Sequence, residues 1–155
     1  MNLQQLQDHV IKPALSHIGM YSPAAAQLVM GTGLQESGFC YIVQVGGPAV
    51  GPYQIEPRTF MDLMDRIVMP RDALRIPVNQ MIASWPDPLS QLATNWMFSS
   101  AMCRIFYRGI PTPLPEFGDL TRMAEYWKNH YNTFKGKGRV EDFLRNAEPA
   151  RQVRF

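Results

Sequence analysis

The chain has 155 residues, 46% of them apolar, with 15 basic and 13 acidic residues and a formal net charge of +2. That length fits a single domain over residues 1–155, and that apolar content excludes a disordered chain. No apolar run reaches the ~18 residues that cross a bilayer, and the mild, scattered charge excludes the concentrated basic face of a nucleic-acid binder.

Leu3, Leu6, Val10 and Ile11 recur at helical spacing, Pro13 interrupts them, and Leu15 and Ile18 resume the pattern before Gly19. Ser22 offers an N-cap with Pro23 at the first helical position. This predicts a second helix from Ala24 through Leu34, ending near Gly38 and packed against the first. Residues 40–56 change character: Tyr41, Ile42, Val43 and Val45 favour extended backbone, and Gly46, Gly47, Pro48 and Gly51 punctuate it. A loop or small irregular sheet is expected there.

Pro57 opens the next helix, which carries Phe60, Leu63, Met64 and Ile67 and stops at Pro70. A shorter helix follows from Asp72, with Pro77 obscuring its end, and another is expected around Met81–Ser84, before the Trp85–Pro88 break. The longest helix is expected from Pro88 through Arg108, with Leu89, Leu92, Trp96, Ser99, Cys103, Phe106 and Tyr107 on one face. Three prolines make Gly109–Gly118 an extended crossing, and Asp119 or Thr121 starts a helix with Met123, Tyr126, Trp127 and Tyr131. A turn at Gly136–Gly138 precedes a last short helix around Val140–Asn146. The fold class is all-α, with six to eight helices and one irregular patch after the second.

Cys40 and Cys103 form no CxxC pair and join no histidine cluster, so a zinc site is not expected and both read as reduced, partly buried thiols. His9 and His17 lack the spacing of a helical metal pair, and His130 stands apart from both. Lys135, Lys137 and Arg139 form the densest basic group, either a solvated surface or a rim facing an anionic substrate.

The stretch Gly33-Leu34-Gln35-Glu36-Ser37-Gly38-Phe39 ends a helix on a carboxylate with apolar residues on both sides. Withdrawing a carboxyl from water raises its pKa, and a carboxyl protonated near neutrality can give a proton to a leaving oxygen and later take one back. Read alone, Glu36 fits an ordinary helix-terminal glutamate better than an acid/base. Fifteen positions later comes Gly51-Pro52-Tyr53-Gln54-Ile55-Glu56-Pro57-Arg58-Thr59.

With both stretches in view, the sequence resembles the soluble lytic transglycosylase and goose-type lysozyme group of the lysozyme-like superfamily. That group pairs an E-S-x-F type motif at a helix end with a downstream G-[LY]-[MF]-Q-[IV]-x-P-x-T type motif. The resemblance implies a lysozyme-like helical domain in which Glu36 is the catalytic glutamate and Ser37 stands beside it. It further implies that Gly51 and Gln54 line the cleft floor, with Pro57 and Thr59 starting the next helix. Tyr131-Asn132 looks like the counterpart of an A-Y-N-x-G type motif, which would set the Tyr131 hydroxyl near Glu36 to orient it; Thr133 stands near the family's glycine position. The likeness covers Ser22–Thr59 well and Asp119–Gly138 loosely, and Met69–Gly118 does not align.

Tyr53, Gln54, Tyr131 and Asn132 are the expected sugar contacts, followed by Tyr41, Trp96 and Trp127, for which core packing is the competing role. Hydrolysis of a glycosidic bond normally takes two carboxyl groups. Glu56 reads as a helix-start charge, and Asp62, Asp65 and Asp87 are the remaining candidates for a second acid. One acid suffices if the substrate's own N-acetyl group stabilises the cationic centre and Glu36 then deprotonates the C6 hydroxyl, closing a 1,6-anhydro ring. The resemblance implies that reaction, on the MurNAc–GlcNAc β-1,4 bonds of peptidoglycan, without metal or organic cofactor. A goose-type hydrolase and a non-catalytic phage structural or peptidoglycan-binding protein are the alternatives. The N-terminus lacks the pattern of a secretory signal, so the expectation is synthesis in a cytoplasm and action in the periplasm or cell wall, either as a virion component carried beside other virion proteins or as a lysis protein.

Overall fold

The computed structural model describes residues 1–132 and 136–155, and among these it is mostly helical, without a strand. Helix α1 covers residues 3–17, running from Leu3–Leu6 through a π-type turn at Gln7–Ile11 into Lys12–His17. Pro13 has no N–H to offer, and the widened turn just before it lets Lys12 N–H bond the Gln7 carbonyl instead. Helix α2 is Pro23–Glu36, begun by Ser22, whose hydroxyl oxygen accepts from Ala25 N–H at 3.1 Å. Every residue from Ala25 to Gly33 is buried, so α2 is covered on all sides.

Helix α3 covers residues 57–68 (Pro57–Leu63, then a π-type turn at Met64–Val68), and α4 is Asp72–Met81. Pro77 lies inside α4, and the helix continues past it because Leu74 and Val78 are buried on one face. No helix forms at residues 82–84. The Gln91 side chain takes over the backbone there, accepting from Ala83 N–H at 2.9 Å and donating to Ala83 and Pro86 carbonyls at 2.9 and 2.6 Å.

The expected long helix is two helices, α5 (Pro88–Thr94) and α6 (Trp96–Arg108), broken at Asn95. Asn95 leaves helical backbone to cap α6, accepting from Phe98 N–H at 3.0 Å while donating to the Met81 carbonyl at 2.8 Å. Helix α7 covers residues 120–132 (Leu120–Trp127, then a π-type turn at Lys128–Asn132), and α8 is Val140–Ala147, which runs on into a 3-10 turn at Glu148–Gln152.

Helices α1 to α5 all pack on α6, and α2 touches α1, α6 and α8, so α2 and α6 form the centre of the molecule. Between α2 and α3, residues 37–56 form an irregular ribbon with two bridges, Val43 to Val50 and Val50 to Ile55. Cys103 is buried on α6, whereas Cys40 is exposed, which corrects the expectation of two partly buried thiols. Among the described residues no helix is long and apolar enough to cross a membrane.

Candidate active site

One groove of about 1020 Å³ opens beside the C-terminal end of α2, at the upper end of the range for ligand pockets. Glu36, the last residue of α2, lies in its lining. The ribbon contributes Tyr41, Val43 and Val45 to the lining, and Gln54, Phe106, Tyr131, Asn132, Gly136 and Lys137 also belong to it. Tyr41 and Val45 are largely exposed, so the ribbon wall presents apolar side chains to solvent.

Burial raises the Glu36 carboxyl from 4.5 to about 7, and a hydrogen bond from Trp127 opposes that shift without cancelling it. The indole Nε1–H of Trp127 donates to Glu36 Oε1 at 2.8 Å. The shift brings Glu36 toward neutrality, the range in which a carboxyl can both give and take a proton. Around it stand groups that stay neutral there: burial pushes the Cys103 thiol and the Tyr107 and Tyr131 hydroxyls well up.

Gln54, Tyr131, Asn132 and Glu36 lie together in the lining, while Ser37, Gly51 and Tyr53 hold the ribbon in place from behind. Ser37 is buried; its hydroxyl donates to the Pro52 carbonyl at 2.7 Å and accepts from Phe39 N–H at 3.0 Å, tying the end of α2 to the ribbon. Gly51 has φ +81°, and a Cβ there would overlap the Leu92 carbonyl oxygen. Tyr53 is 1% exposed and its hydroxyl donates to Ser100 Oγ at 2.8 Å, so its ring is a core group and not a sugar platform. Gln54 holds left-handed backbone at φ +49°, and its side chain donates to the Gly51 carbonyl at 2.9 Å.

Tyr131 does not bond Glu36. Its hydroxyl donates to the Tyr53 carbonyl at 2.7 Å, and the contact to Glu36 falls to Trp127. Trp127 is fully buried, as core packing on α7 predicts, yet it also carries the polar contact of the site. Helical spacing with Met123 marks its buried face; nothing in the spacing reveals a partner 91 positions away. Trp96 is off the groove, its indole donating to the Ala93 carbonyl at 3.2 Å, whereas Tyr41 lines it.

The proposed second acids do not reach the groove. Asp62 pairs with Arg66 at 2.7 Å on the surface, Asp65 is exposed, and Asp87 caps α5 through Ser90. Glu56, at the head of α3, is the second carboxylate in the lining. Of the basic group, Lys137 lines the groove, Arg139 pairs with Asp142 at 3.3 Å, and Lys135 lies outside the described residues, as does Thr133. Among the described residues no cluster of His, Cys, Asp or Glu could hold a metal ion. Comparison with models of known protein families, with curated proteins and with solved structures finds no match for this chain.

Proposed function

We propose that the protein is a peptidoglycan lytic transglycosylase with a lysozyme-like helical fold, in which Glu36 cleaves the MurNAc–GlcNAc β-1,4 bond. The observation that carries the reading is a desolvated carboxyl at the end of α2, bonded by the Trp127 indole and set in the lining of a groove of about 1020 Å³. Protonated Glu36 gives its proton to the glycosidic oxygen as the bond to C1 breaks and its electron pair leaves with that oxygen. The acetamido oxygen of the same sugar closes on C1. Glu36 then removes the C6 hydroxyl proton while O6 displaces the acetamido oxygen, leaving a 1,6-anhydro ring and no role for water. Gln54, Tyr131 and Asn132 offer the amide and aromatic surfaces a glycan needs, and the apolar ribbon wall suits the faces of its rings.

One observation favours a second reading. Glu56 lies in the same lining, so a hydrolase using Glu36 as acid and Glu56 as base or nucleophile is the neighbouring possibility. The test is mass spectrometry of soluble fragments from purified Gram-negative peptidoglycan, digested by wild type and by Glu36→Gln. Anhydro-muropeptides that vanish in the variant are the expected result. Free reducing ends would replace the lyase reading with the hydrolase, and no fragments from folded wild type would leave a wall-binding or structural protein.

A further inference from the structure

The Trp127 indole is the one side-chain donor to Glu36 among the described residues. Its own position is over-determined. Trp127 is fully buried, its ring lies 5.4 Å from that of Phe143 on α8, and Gly138 sits so close that a Cβ there would stand 2.5 Å from Cη2 of the indole. Helix α8 packs along both α2 and α7, so the helix bearing Glu36 and the helix bearing Trp127 are clamped by the same neighbour. A donor held this firmly is a fixed dipole, the kind of group that distinguishes two otherwise equivalent oxygens.

A carboxyl acid has one proton and two oxygens that could carry it. The oxygen that accepts the N–H is engaged by a donor whose side chain is fully buried. On the glycan-lyase reading, on which this rests, we propose that Trp127 is the positioning residue of the catalytic acid: it keeps Oε1 as an acceptor, so that Oε2 carries the proton. Oε2 then delivers the proton to the glycosidic oxygen as the C1–O bond breaks, with the bonding pair leaving on that oxygen. Between the two half-reactions the charge on Glu36 is held by the same N–H. Oε2 finally recovers a proton from the C6 hydroxyl as O6 bonds C1 and the acetamido oxygen leaves it with the bonding pair. Trp127 touches no substrate atom in this scheme.

The test removes the N–H while keeping the ring. Trp127→Phe would leave a cavity in the core, so the decisive variant replaces Trp127 site-specifically with 3-benzothienylalanine, whose sulfur takes the place of the indole nitrogen. Two readouts are followed: the carbon-13 titration of the Glu36 carboxyl, assigned with Glu36→Gln, and the pH profile of anhydro-muropeptide release. Cys103 and Tyr107 from α6 and Tyr131 from α7 lie close enough to Glu36 to interact with it, Glu56 and Lys137 share the groove lining, and none is altered by the replacement. A hydrogen bond to a charged carboxylate favours ionisation, so its loss moves the Glu36 titration upward by about one pH unit. The expected rate effect is a fall in kcat of about tenfold or more with KM within about twofold, and a basic limb displaced upward with the titration. A folded analogue with unchanged titration and kcat overturns the positioning role and leaves the lyase reading standing. A folded wild type that releases no fragments overturns that reading first, and the positioning role of Trp127 with it.

Discussion

The Tyr131 hydroxyl donates to the backbone carbonyl of Tyr53 at 2.7 Å, joining the end of α7 to the ribbon across 78 positions of sequence. The bond braces the groove without touching the acid. Tyr131→Phe therefore leaves a carbonyl unpartnered and should lower stability by about 1–2 kcal/mol in urea unfolding. The basic limb of the pH–rate profile should stay where it is. A limb that moves with this variant would mean that Tyr131 acts on Glu36 directly.

Gly51 sets the entry of the ribbon beneath the groove. Its φ of +81° and the nearby Leu92 carbonyl leave no room for a side chain, and Ser99 Oγ would lie 3.0 Å from a Cβ. Gly51→Ala should cost about 3 kcal/mol through combined backbone strain and overlap, which is roughly a 10 °C fall in Tm for a chain of this size. Calorimetry of the variant decides it. A Tm within about 2 °C of wild type would show that the ribbon can shift to admit a methyl group.

The parts legible in the sequence are those that short-range chemistry dictates. Ser22-Pro23 starts α2 and Pro57 starts α3 as local capping rules require, and the β-prone residues after Cys40 form an irregular ribbon instead of a helix. Misreadings arise where a distant side chain overrides the local pattern. Asn95 breaks the apolar face that runs from Leu89 to Tyr107 because its amide is committed to Phe98 and Met81, and Gln91 satisfies residues 82–84 without a helix. At the site, Glu36 and Gln54 stand out in the sequence as a motif, whereas the same motif puts Tyr53 in the groove although its hydroxyl belongs to Ser100. Alternation along an irregular ribbon cannot tell which side chain faces inward, since such a ribbon has no regular pleat. The Trp127–Glu36 contact depends on the folding of α7 against α2, and no local spacing encodes it.

Burial of Glu36 also makes stability depend on pH in a defined direction. The folded protein holds the Glu36 proton up to about 7, while the unfolded chain releases it near 4.5. Between those values the folded state binds more protons, so this group's contribution to stability falls as pH rises and levels off above about 7. The full difference is on the order of 3 kcal/mol. Glu36→Gln keeps an oxygen that can accept from Trp127 and removes the ionisation. The variant should therefore be more stable than wild type at pH 8 and lack this component of the pH dependence, while turnover falls by about 10²–10⁴-fold. Urea unfolding at pH 5 and pH 8 measures it; an identical pH slope in both proteins would mean that Glu36 is solvated in the folded state.

Glu56 discriminates between the two proposed glycan chemistries. It stands at the head of α3, exposed, with its backbone ending the ribbon and its side chain making no cap bond to the helix. If a water molecule or a covalent intermediate were needed, Glu56 would be the group to supply the base or the nucleophile, and Glu56→Gln would lose about 10²–10⁴-fold in rate. If the acetamido oxygen and the C6 hydroxyl do that work within the substrate, the variant keeps its rate within about threefold, and its products still end in an anhydro ring. Retention is the expected outcome, because Glu36 alone has the desolvated environment that an acid/base at neutral pH requires. Rates and product ends are read from the same peptidoglycan digest. A dead Glu56→Gln with a native unfolding curve, beside wild-type products carrying free reducing ends, would make Glu56 the second carboxylate and the enzyme a lysozyme.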